Sequence, residues 1–178
     1  MIYSVITPET VPVAVGQQLH DLATGLALSH AVLRSSVTQS DHWQLQGAFE
    51  GNGTVERFVP WDGFNGKNSI DGYLLGDQKA AKHTARRYLS GFRRFKPQQQ
   101  LLIAHYVYVC LGLKLRTPSQ FLFYYAVPEN RSQHHLELAL KLARNYNIRT
   151  YNLGNPSDQA LVQAWLTKLH TSKRNLSA

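Results

Sequence analysis

Lys79, Lys82, Arg86, Arg87, Arg93, Arg94 and Lys96 form a dense basic stretch interleaved with Tyr88, Phe92 and Phe95. Cations that track phosphates, alternating with rings that accept unstacked bases, are the composition of a surface for single-stranded nucleic acid. The charges have no compensation nearby in sequence. No acidic residue lies between Asp77 and Glu129, a gap that also holds Lys114 and Arg116. The whole chain carries a formal charge of +8. Like charges packed this closely repel unless a polyanion or an acidic surface neutralises them. Single-stranded DNA is therefore the expected partner, and an acidic protein partner is the alternative. A third account is a solvated helix face whose rings pack inward.

A second group of polar residues could line a ligand pocket. Ser36, Thr38, Asp41 and His42 follow a strand-like run, and Trp61, Asn65 and Lys67 lie in the glycine-rich "WDGFNGKNS". His134 opens a later helical segment, and Lys67 could meet a phosphate. Catalysis is not expected. The chain has no Gly-x-Ser-x-Gly elbow and no Walker loop. Its eight histidines offer no His-x3-His beside a carboxylate. His134 and His135, adjacent on a helix, point about 100° apart and chelate one ion poorly. No metal and no cofactor is expected. The one cysteine, Cys110, lies in the apolar "YVYVCLGL" and excludes an intramolecular disulfide framework.

These residues need elements to place them. "YSVITP", "AVLRSS", "VERFVP", "SQFLFYYAV" and "IRTYNL" read as strands, the fourth as a central parallel strand covered on both faces. Between them lie helical patterns. The first has Val15, Leu19, Leu22, Ala23 and Leu26 at helical spacing, and a short one runs from a Ser40-Asp41 cap to Phe49. Two more run from Asp77 to Phe92 and from Pro97 to Gly112. "SQHHLELALKLARNYN" and a closing helix capped by Ser157 complete the set. Strands alternating with helices predict an α/β fold, one Rossmann-like three-layer domain with a mainly parallel sheet over residues 1–172. Residues 173–178 read as a frayed tail, and 61–76 as a loop near the sheet's C-terminal edge.

With these elements in place the chain resembles the SLOG group of Rossmann-like proteins, which includes the DNA-processing protein A family and phage-type members. The resemblance spans roughly Tyr3 to Leu153 and is most specific in "FVPWDGFNG", Phe58 to Gly66. "LGLKLRTPSQFLFYYA" and "LALKLARNYNIRTYNL" are similar to two further runs of the group. The phosphate-binding motifs depart from the pattern. The group's Ser-Gly-Gly-Ala-x-Gly-Ala-Asp turn aligns with Ser35 to His42, "SSVTQSDH", without its glycines. Its Gly-Gly-Thr falls on His134-His135-Leu136, and an Arg-Asn pair falls on His105-Tyr106. Glycine lets backbone N–H groups close on phosphate oxygens, and a side chain takes that volume. The resemblance therefore implies the frame without its ordinary nucleotide chemistry, with a nucleotide-sensing or sequestering module as a further alternative. It also implies a viral or prophage protein acting in a bacterial cytoplasm.

The N-terminus lacks the basic and apolar regions of a signal peptide, and no apolar run approaches the ~20 residues that cross a bilayer. A cytoplasmic protein with no membrane association is the expectation. "LIAHYVYVCLGL" is apolar enough for a homodimer helix, and burial within one protomer explains it equally well.

Overall fold

The structure, a computed structural model, describes residues 1–37, 42–127 and 133–174, with side chains described as far as residue 168. Five strands form one sheet: β1 (Ile2–Ile6), β2 (Val32–Ser36), β3 (Thr54–Phe58), β4 (Phe121–Tyr124) and β5 (Arg149–Asn152). They lie in the order β3-β2-β1-β4-β5, and every pairing is parallel. This is the single Rossmann-like α/β domain that the alternation predicts. The chain runs outward from β1 to β3, then returns across the sheet to β4 on the other side of β1. The order reverses between β1 and β4, and such a reversal opens a crevice at the strands' C-terminal ends.

Alternate strand residues point to opposite faces, so the sheet feeds two cores. On one face Tyr3, Val5, Leu33 and Phe123 pack with α1 (Val13–Ala27), α2 (His42–Glu50) and α7 (Pro156–Arg174). On the other, Ile6, Phe58 and Leu122 meet α3 (Gln78–Tyr88), α4 (Pro97–Ala104), α5 (Tyr106–Leu111) and α6 (His134–Asn145). α1 and α2 approach closely because Gly47 has no side chain: a Cβ there would strike the backbone carbonyl of His20.

Several boundaries differ from the sequence expectations. β4 is internal, pairing with both β1 and β5, but β1 holds the centre. The helix expected from Pro97 to Gly112 breaks at His105 into α4 and α5. The His105 Nδ1 bonds to the Leu102 carbonyl, the group that Tyr106 would use to continue an α-helix. α3 ends at Tyr88 rather than Phe92, because Gly91 adopts φ 74° and starts a 3-10 turn over Phe92–Arg94. α7 is capped by Asn155, whose Oδ1 accepts from the Ser157 N–H, rather than by Ser157 itself. α7 also carries the helix to Arg174, into the segment expected to fray. The proposed Ser40-Asp41 cap of α2 lies outside the described residues. In the apolar helix segment weighed as a dimer face, Ile103, Ala104 and Tyr106 through Leu111 are buried in the protomer's core, while Leu102 and Leu113 at its ends are exposed. Among the described residues, no helix is long and apolar enough to cross a membrane.

Candidate ligand crevice and basic face

At the C-terminal edge of the sheet lies a cavity of about 620 Å³. Its size is in the range of small-molecule sites. Thr7 to Thr10 enter from the end of β1, and Ser36 and Val37 from the end of β2. Leu102, His105 and Tyr106 come from the α4–α5 break, and Gln133 and His135 from the start of α6. Phe64 and Asn65 close the outer side from the 61–76 loop.

That loop is held by specific contacts. The Leu74 N–H donates to the Arg57 carbonyl and the Val59 N–H to the Leu74 carbonyl, which ties its far end to β3. Trp61 stacks edge-on against Phe64, with ring centroids 4.8 Å apart. Asp62 accepts the Ser69 N–H at 2.6 Å, and this bond lowers its carboxyl pKa from the ordinary value. The loop thereby presents Phe64 and Asn65 to the crevice, where the sequence expects it.

The inner wall is polar but electrically neutral. His105 is buried, and its Nε2 lies 2.8 Å from Ser36 Oγ. Burial pushes its pKa down to about 3, so the ring is neutral at physiological pH. The Leu102 carbonyl at 2.8 Å accepts from the Nδ1–H and fixes the tautomer, leaving Nε2 to accept from Ser36. Burial likewise lowers His135 to about 4, with the adjacent His134 adding to the shift. The His135 ring stacks on Tyr106, centroids 4.6 Å apart and 22° from parallel, and its buried Nε2 has no hydrogen-bond partner among the described residues. Among the described residues no lysine or arginine lines the cavity, and Glu9 at the rim is its one charged group.

Among the described residues, the crevice and the pocket expected from sequence share Ser36 and Asn65. His42 is exposed, its ring tilted against that of Trp43, and it does not line the cavity. Trp61 supports Phe64 from behind, and Lys67 closes the turn by donating its N–H to the Phe64 carbonyl. His134 faces outward, against the Phe95 ring in a neighbouring groove. Thr38 and Asp41 lie outside the described residues. His105, Tyr106 and His135 were missed as lining residues, although a signal for them existed. The resemblance drawn from the sequence marks all three positions as departures from its motifs, and in the structure all three line the crevice. Among the described residues no cluster of three metal-ligating side chains occurs.

The basic stretch is arranged as its helical spacing predicts, with one exception. Lys79, Arg86, Arg87, Arg93, Arg94 and Lys96 are exposed, Lys82 is partly so, and Ala81 and Ala85 of α3 face the core. None of these cations pairs with a carboxylate among the described residues. One aromatic ring, however, is lost to the surface. Phe92 is 1% exposed and belongs to the core, so it cannot receive a base. Phe95 packs on Phe92 and His134, and Tyr88 leans on Tyr146. Tyr88 and Phe95 are half-buried, each with one side against the core.

No protein-family model matches the chain, and no curated protein matches it. Among solved structures it is similar to the molybdenum cofactor carrier protein from Chlamydomonas reinhardtii. That match has a TM-score of 0.47 at 15% identity and covers 94% of this chain and 86% of that one. The likeness is one of fold.

Proposed function

We propose that this protein is a non-enzymatic module that binds an uncharged, planar, hydrogen-bonding ligand of nucleobase or nucleoside size in the crevice. The observation that carries the reading is the re-lined wall: neutral His105 and His135, the Tyr106 ring and Ser36 surround a 620 Å³ cavity that no described cation enters. A phosphate there would face the Glu9 carboxylate and find no positive side chain among the described residues. A heteroaromatic base finds rings to lie against and donors and acceptors on its edge, including the His135 Nε2, which has no partner among the described residues. The reading fits a phage-type, SLOG-like protein of a bacterial cytoplasm that has exchanged phosphate recognition for base recognition. It includes no turnover: a histidine held neutral down to about pH 3 is a weak general base, and its orienting group is a carbonyl rather than a carboxylate.

The test is a thermal-shift and calorimetric comparison of free bases and nucleosides with their monophosphates. At a hundredfold excess over Kd, a nucleoside should raise the melting temperature by roughly 5–10 °C in a chain of this size. The monophosphate should bind more weakly, and the ligand should be recovered unchanged. Tighter binding of the monophosphate, or no binding of any base or nucleoside at millimolar concentration, would refute the reading.

A further inference from the structure

Beside α4, away from the crevice, the end of α3 and the following turn form a groove of about 400 Å³. Arg86, Ser90, Gly91, Arg93 and Arg94 line it, while Leu89 and Phe92, both buried, anchor the turn to the core. The arginines are exposed, and none pairs with a carboxylate among the described residues. Guanidinium groups held on a fixed turn suit bidentate contact with phosphate oxygens. Gly91 leaves the floor open, with nothing within 4 Å of where a side chain would begin. Arg87, Lys82 and Lys79 continue the positive surface along α3.

We propose that this groove and the adjoining face of α3 form a seat for the phosphate backbone of a nucleic acid, independent of the ligand crevice. Two observations favour nucleic acid over an acidic protein. Protein interfaces take most of their energy from a few buried apolar or aromatic anchors. Among the described residues the exposed large aliphatic side chains, such as Val13, Ile70 and Leu161, lie elsewhere, and none is on α3 or its turn. Unpaired cations without an apolar anchor match a polyelectrolyte, whose binding is driven by release of condensed counterions. The buried Phe92 sharpens the inference. With that ring in the core and Tyr88 and Phe95 half-buried against it, the cations carry the contact to the backbone, so it reads no sequence and accepts single and double strands alike.

The experiment is fluorescence anisotropy of labelled 20-mers, single- and double-stranded, titrated at several salt concentrations from ~50 mM upward. If about four phosphates are neutralised, the log–log salt slope should be about −3 on single strands and about −3.6 on duplex. The double substitution R93Q/R94Q, at exposed positions, should flatten the single-strand slope by about 1.4. It should weaken every sequence alike. H135A, in the crevice, should leave the slope unchanged, which separates this inference from the ligand reading. Absence of binding at tens of micromolar protein at ~50 mM salt would overturn the proposal. So would binding that R93Q/R94Q does not alter, or competition by poly-glutamate as effective as that by an oligonucleotide of equal charge. The last result would assign the surface to an acidic protein.

Discussion

His105 joins three parts of the molecule: it interrupts a helix, accepts from Ser36 on β2 and forms part of the crevice wall. Its burial as a neutral ring has a consequence for stability. In the unfolded chain a histidine takes up its proton near pH 6.5, whereas here burial holds the folded value at about 3. The folded pKa is depressed, so at acid pH the unfolded state binds the extra proton. The contribution is therefore fully present above about pH 6.5 and is lost as pH falls toward 3. The loss should approach about 1.4 kcal/mol per pH unit from this group. His135, lowered to about 4, adds to it in the same direction. Urea denaturation between pH 7 and 4 should show the decline, and H105N should lessen its slope; a slope equal in wild type and variant would show that His105 is not its source. Replacing Ser36 by Ala leaves Nε2 buried without its donor and should cost about 1–3 kcal/mol at neutral pH. Part of this was legible in the sequence. The sequence resemblance singled out His105 and His135 as departures from its motifs, but only the fold shows that the two line one crevice.

At the scale of elements, the sequence carries the strands and helices well and their ends poorly. Apolar spacing along α1, α3 and α6 faces the core as expected, because periodicity is a property of the whole element. The α4–α5 break escaped because it depends on a side chain bonding to a carbonyl of its own helix, which leaves no trace in periodicity. The rings of the basic stretch escaped for a different reason. Tyr88, Phe92 and Phe95 alternate with cations in sequence, yet the turn at Gly91 rotates Phe92 into the core beneath α3. F92A should therefore lower unfolding free energy by about 3–5 kcal/mol, read by denaturant titration. The folded fraction should keep the salt slope of its nucleic-acid binding; a changed slope with normal stability would return Phe92 to the surface. Asp77 starts α3 by accepting from the Lys79 and Ala80 N–H groups. D77A should cost about 1 kcal/mol in the same measurement.

For the whole molecule, strand alternation and the glycine-rich loop were enough to anticipate a parallel sheet with that loop near its C-terminal edge, but not the crevice beside it. Which side chains meet there could not be read, because the wall gathers residues from β1, β2, the 61–76 loop, the α4–α5 break and α6. The charge distribution, by contrast, was fully visible, since segregation along the sequence became segregation in space. The carboxylates of described ion pairs lie on other surfaces: Glu56 holds the buried Arg34, Glu50 and Asp21 hold His20, and Glu137 holds Lys141. The face of α3 and its turn is left with cations that repel one another, and this repulsion is strongest when the Debye length is long. Raising sodium chloride from ~10 to ~200 mM shortens that length from about 30 to under 10 Å. The melting temperature should rise by roughly a few degrees over that range. In R93Q/R94Q, which removes two of the mutually repelling charges, the rise should be smaller and the low-salt melting temperature higher than in wild type. This outcome depends on no partner, so it tests the electrostatics of the free protein. A melting temperature that falls with salt, or that responds identically in both proteins, would show that these cations are compensated in the folded chain and that the basic face does not need a polyanion to relieve it.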